Sequence, residues 1–184
     1  MRFYISDLHF GHENVMKFDK RPFETLAQMH EEMIRRWNSR VDDDDIVYVL
    51  GDITWNNETG IEVFSQLKGR KFLILGNHDK PNKALNSLFE WTKEYADVVD
   101  GKCHVVLSHY PMICWKRSDY GSVHLYGHVH NGRDFEFVLK NHRTMKEAGI
   151  RHECYNVGCM MPYMDYTPRT LAEIREGAAK FGLI

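Results

Sequence analysis

The chain has 184 residues, 43% of them hydrophobic, and 24 Lys and Arg against 26 Asp and Glu give a formal net charge of −2. That length is expected to make a single domain over residues 1–184 with one sizeable core, and a charged fraction of 27% excludes compositional disorder. The near-neutral balance gives no footprint for tight, non-specific nucleic-acid binding, and neither a leader pattern nor an apolar run of about 18 residues is present, so a cytoplasmic protein is expected.

Residues 2–6, 45–50 and 71–75 are short apolar runs, each ending in a polar or glycine-containing loop, as expected of strands buried on both faces. Between the first two, residues 23–40 carry Leu26, Met29, Met33, Ile34 and Trp37 at helical spacing, with Pro22 placed to open the helix. A second helix is expected over 59–67 and a third over 82–95. The first half thus reads β-α-β-α-β-α. Residues 102–108, 122–126, 134–139 and 153–157 are strand candidates with few helices between them, which suggests a second, more antiparallel sheet. Thr167 and Pro168 form an N-cap and first-turn pair for a closing helix over 169–180. The acidic run 42–45 reads as a solvated turn. Cys103, Cys114, Cys154 and Cys159 show no paired spacing and read as ordinary buried thiols of a reducing compartment.

The loops after the strands carry the chemistry. Asp7-Leu8-His9 follows the first strand, Gly51-Asp52 the second and Gly76-Asn77-His78-Asp79 the third; later strands end at Ser108-His109 and Gly127-His128-Val129-His130. Ligands gather at the carboxyl ends of strands in α/β sheets. Asp and His repeated at five such ends are hard to explain by packing, because buried polar groups need partners. Alternation along an extended segment would turn Asp7 and His9 to one side. His128 and His130 need a turn that Gly127 would permit if they are to serve different ions.

In this order the motifs, spanning residues 7–130, resemble the calcineurin-like metallophosphoesterase superfamily. The resemblance implies an α/β, four-layer α/β/β/α sandwich of two mixed sheets with flanking helices, and a dinuclear metal centre between the sheet ends. It implies that Asp7, His9 and His130 bind one divalent ion and that Asn77, His109 and His128 bind the other. Asp52 would bridge them, with His78 beside the phosphate as general acid or hydrogen-bond donor. Two divalent ions neutralise phosphate oxygens and lower the pKa of a water between them. A ligand set without Cys argues against a structural zinc site. Mixed oxygen and nitrogen ligands suit manganese first, with iron, zinc, cobalt or nickel as the other candidates.

The chain departs from the protein Ser/Thr phosphatases, whose second motif GDxxDRG is here Gly51-Asp52-Ile53-Thr54-Trp55-Asn56. The second acid, the usual partner of the catalytic His, and the Arg are missing. The stretch Phe10-Gly11-His12-Glu13-Asn14, followed by Lys20-Arg21-Pro22-Phe23, resembles a bacterial and phage group of small phosphoesterases. Beside Asn77, His12 and Arg21 are candidate substrate contacts, as a site-lining imidazole and a phosphate clamp; a helix-start histidine and a simple turn are the alternatives. Tyr110 and Trp115 either wall the pocket or belong to the core. His30, His104, His124, His142 and His152 read as structural or surface groups, and the loop Asn156-Val157-Gly158 is given no role.

The expected activity is metal-dependent hydrolysis of a phosphodiester, or of a phosphomonoester, in a small phosphorylated or nucleotide-like substrate. The diester is favoured because no cap encloses a small monoester. Neither a membrane nor strong nucleic-acid binding is expected, and the oligomeric state is open. The alternatives are a nuclease, which salt-dependent DNA binding would support, and a non-catalytic metal-binding scaffold.

Overall fold

The computed structural model describes residues 1–183. Strands and helices alternate through the first half: β1 (Arg2–Ile5), α1 (Glu13–Phe18), α2 (Leu26–Asn38), β2 (Ile46–Val49), α3 (Asn57–Phe64), β3 (Arg70–Ile74), α4 (Lys83–Asn86) and β4 (Thr92–Lys93). The four strands pair in chain order, parallel throughout. Parallel neighbours need crossovers, and α1, α2 and α3 occupy the connections. The second sheet holds β5 (Tyr95–Asp100), β6 (Cys103–Ser108), β7 (Val123–Tyr126) and β8 (Cys154–Asn156), with α5 (Arg133–Glu147) before β8 and α6 (Leu171–Lys180) after it. Two sheets with flanking helices are the architecture the motifs implied. No helix of the described residues is long and apolar enough to cross a membrane.

Packing follows the apolar pattern. Phe3, Tyr4, Ile5, Val47 and Val49 are fully buried, so β1 and β2 lie covered on both faces. Helix α2 buries Met29, Met33 and Trp37, four residues apart on one face. The indole of Trp37 donates to the Lys68 carbonyl at 3.0 Å, tying this helix to the turn before β3.

Five expectations are corrected. Helix α2 starts at Leu26, capped by Thr25, whose hydroxyl accepts the Gln28 N–H, and is not opened by Pro22. Residues 82–95 hold only the short α4; the chain then enters the sheet edge as β4, where Trp91 packs against Phe72 with ring centroids 5.2 Å apart. Residues 134–139 belong to α5: Asp134 and Glu136 sit in its first turn, where the helix dipole favours acids, and only one of the two phenylalanines that mimic strand alternation, Phe135, is buried. The second sheet is antiparallel only between β5 and β6; β6, β7 and β8 run parallel. The closing helix is capped by Thr170, not by Thr167 and Pro168, in a reciprocal box with Glu173. In the acidic turn, Asp45 is buried and pairs with the N-terminal ammonium, while its three neighbours are exposed.

Replacing Thr170 with alanine is expected to cost about 1 kcal/mol, read as a lower urea midpoint with the far-ultraviolet spectrum unchanged. An unaltered midpoint would deny the cap any role.

Candidate metal centre

The loops after β1, β2, β3, β6 and β7 meet at one end of the two sheets. Asp7, His9 and His130 each bring a ligand atom within 4.8 Å of the others, and Asp52, His109 and His128 form a second such group. Asp52 Oδ2 lies 3.7 Å from His9 Nε2 and 3.5 Å from His109 Nε2, so it faces both groups. Asn77 Oδ1 stands 3.1 Å from His109 Nε2. All seven expected ligand residues are therefore together.

The backbone achieves this by strain rather than by extension. Asp7, His9, Asp52, His128 and His130 all have positive φ, and they are five of the nine non-glycine residues that do so among the described residues. Left-handed backbone is uncommon outside glycine, though Asp and His enter it more readily than most residues, and it collects at functional sites. The extended geometry expected for the Asp7–His9 and His128–His130 segments is corrected accordingly. Gly127 does not supply the turn, since its φ is not positive; it leaves room, because a Cβ there would strike Ser6 Oγ and Asp7 Oδ2. Gly51 supplies both, with a φ of +88° and no space beside the His109 ring.

A further layer of groups fixes the ligands. His130 Nδ1 donates to Asp19 Oδ1 at 2.6 Å, and His109 Nδ1 donates to the Leu50 carbonyl at 2.7 Å. Asp79 accepts the N–H groups of Asp52, Ile53 and Gly76, stitching the second loop to the third. Asn156 donates to the His130 carbonyl at 2.7 Å. Arg21 is not a phosphate clamp. Its side chain is 0% exposed and wholly engaged with Asp19 and with the carbonyls of Asp7 and Leu8. It positions the residue that positions His130. Asp19 was invisible to the sequence reading, because a lone acid at the end of a short helix carries no motif.

These partners decide which way the lone pairs point. With Nδ1 donating outward, His109 and His130 each turn an Nε2 lone pair inward. The oxygens they meet are acceptors too: Asp52 Oδ2 and Asn77 Oδ1 for His109, and Asp7 Oδ1 at 3.6 Å for His130, with His9 Nε2 3.2 Å from the His130 nitrogen. Two carboxylates and several imidazole nitrogens facing one another suit divalent cations. Without an ion, a proton takes that place. Burial opposes charge on His109, but the hydrogen bond and charge of Asp52, with the charge of Asp7, lift it to about 9. Burial likewise opposes ionisation of Asp52, yet His109, the His78 N–H and His9 bring it to about 2. Burial alone dominates at His9, which falls to about 3, and at Asp7, which is raised.

The rim is aromatic. His78 is exposed; its N–H donates to Asp52 Oδ1 at 2.9 Å, and its ring centroid lies 5.6 Å from that of His9. Asp79 gives its oxygens to backbone N–H groups and not to the His78 ring. His12 lines the site, 5.6 Å from His9, and stacks on Trp55 at 4.0 Å with the planes 7° apart. Tyr110 packs against His109 and His128 and is 48% exposed. Trp115 is not a pocket wall: it is buried, donates to the Ser122 carbonyl and packs on His124 and His152. A cleft opens beside His78 and is lined by Trp55, Asn56, Lys80 and Leu85 among others.

The two-sheet fold and the ligand groups at its strand ends are the arrangement of a family of phosphoesterases. The calcineurin-like phosphoesterase family model matches residues 3–97, over half of the chain, and the chain belongs to that family. It is 41% identical over 81 residues to an uncharacterised protein of Methanocaldococcus jannaschii, and the match spans 42% of this chain and 46% of that protein, about half its length. It is 29% identical over 178 residues to the gene 66 protein of Mycobacterium phage L5, covering 80% of this chain and 84% of the phage protein. A solved protein of unknown function from Aquifex aeolicus has a similar structure, with a TM-score of 0.72, 26% identity, and coverage of 96% of this chain and 98% of that one.

Asp19→Asn is expected to weaken divalent-metal binding about 10–100-fold, the usual cost of losing an outer partner of a ligating histidine. Calorimetric titration of the stripped chain reads this, with a melt in EDTA to confirm the fold. Unchanged affinity would separate Asp19 from the site.

Proposed function

We propose that the chain hydrolyses a phosphodiester, or secondarily a phosphomonoester, bond in a small or nucleotide-like substrate, using two divalent ions, manganese ahead of the others. Asp7, His9 and His130 would hold one ion, Asn77, His109 and His128 the other, and Asp52 both. The observation that carries this reading is the place of Asp52 Oδ2, which faces His9 on one side and His109 on the other. When bound, the ions would neutralise phosphoryl oxygens and make a water between them acidic enough to ionise near neutral pH.

The chain's own residues supply the rest. Asp19 and the Leu50 carbonyl keep His130 and His109 in the ligating tautomer. The His78 N–H anchors its loop to Asp52 Oδ1 and leaves the ring free at the rim. There it would donate a proton to the leaving oxygen, a role worth about 10²–10⁴-fold in rate. Trp55, 53% exposed and stacked on His12, offers a flat apolar face 5.4 Å from the His78 ring centroid. Such a face suits a nucleobase, since base stacking on an aromatic is worth about 1–3 kcal/mol. This favours a nucleotide diester.

The test is turnover of bis-p-nitrophenyl phosphate and p-nitrophenyl phosphate by manganese-reconstituted chain. Metal-dependent hydrolysis favouring the diester is expected. His78→Ala is expected to keep its metal and lose about 10²–10⁴-fold in kcat, and Asp52→Asn to lose metal and activity together. Wild type that holds manganese and turns over neither these esters nor nucleotide diesters would contradict the proposal.

A further inference from the structure

Away from the strand-end loops, a second group of ligating side chains is buried beneath α5. His142 on α5, and His152 and Cys154 at the entry to β8, each bring one ligand atom within 4.8 Å of the others. All three are less than a tenth exposed. The two Nδ1 atoms face each other at 3.2 Å, and Cys154 Sγ lies 3.7 Å from each. A tetrahedral zinc with bonds of about 2.05 Å to imidazole and 2.3 Å to thiolate sets N···N near ~3.3 Å and N···S near ~3.6 Å. The triangle therefore has the dimensions of three zinc ligands before any ion enters.

The surroundings agree. His152 donates from Nε2 to the Ile113 carbonyl at 3.0 Å, which leaves its Nδ1 lone pair directed at the other two groups. Of the fifteen residues of α5, Phe135 and His142 are the buried ones. Val138 and Leu139 add partly buried apolar contacts, and one of the helix's two buried anchors is an imidazole that faces another imidazole. Burial and the charge of Glu153 push the Cys154 thiol up to about 12 in the ion-free chain, so an ion would displace a proton there.

We propose that His142, His152 and Cys154 bind a zinc ion that staples α5 to β8, with the fourth position open to water or an external ligand. The sulfur makes this site softer than the oxygen- and nitrogen-lined centre at the strand ends, so the two sort different metals. The staple sits close to that centre in the chain. Helix α5 begins three residues after His130, and Cys154 lies two residues before Asn156, which holds the His130 carbonyl.

Cobalt(II) titrated into the EDTA-stripped full chain tests this, because a thiolate-to-cobalt charge-transfer band can come from a sulfur ligand and not from the strand-end centre. The band is expected in wild type, absent in Cys154→Ser and retained in Cys159→Ser, whose thiol instead donates to the Asp7 carbonyl. Zinc is expected to raise the melting temperature of wild type more than that of Cys154→Ser. His142→Ala is expected to shift the band and weaken cobalt binding by more than the ~100-fold that an outer partner alone costs. No such band in folded wild type at saturating cobalt, a band that survives Cys154→Ser, or unchanged cobalt affinity in His142→Ala would each overturn the proposal.

Discussion

Asp7 and Asp52 are carboxylates with almost no exposure, and around them His9, His109 and His130 turn ring nitrogens inward. Acceptors packed against acceptors in a dry place repel unless positive charge lies between them. The chain's own cation nearby, Arg21, does not meet this need, because its guanidinium is spent on Asp19 and two carbonyls. In the absence of an ion a proton on His109 would fill the gap, since against the cost of burial Asp52 and Asp7 lift that ring to about 9. A divalent ion in the same place would displace that proton and let both carboxylates stay charged.

Much of the nearby structure works against the strain this arrangement imposes. Five ligand residues hold left-handed backbone, which persists only where the surroundings over-determine it. Here they do. Asp79 clamps three N–H groups across two loops, Asn156 holds the His130 carbonyl, and Gly127 admits Ser6 and Asp7 where a side chain would collide. Asp19 and Arg21 do for the first ligand group what the Leu50 carbonyl does for the second. The aromatic rim stands outside this rigid set, with Trp55 and His78 exposed and His12 stacked on Trp55.

The parts of this arrangement that were legible in the sequence are those set by local order. Apolar runs placed β1, β2, β3, β6 and β7, and a polar residue after each run marked the ligands, because a strand end fixes where the next side chains go. The groups that orient those ligands were not legible. Asp19 reaches His130 over 111 positions and Asn156 over 26, and no spacing rule spans such distances. Arg21 was misread for the same reason: a basic residue beside a proline looks exposed until the fold buries it. In the second half, Phe135 and Phe137 imitated strand alternation over too short a stretch, and the acids of the first turn of α5 decided for helix. With that helix missing, His142 could not be seen to meet His152 and Cys154.

If Asp52 lies between two manganese ions, electron paramagnetic resonance of the manganese-loaded chain should show an exchange-coupled pair, and Asp52→Asn should abolish the coupling. Saturated wild type that gives only the hyperfine pattern of isolated manganese would mean that the two ligand groups do not share Asp52, and the bridging role assigned to that carboxylate would be wrong.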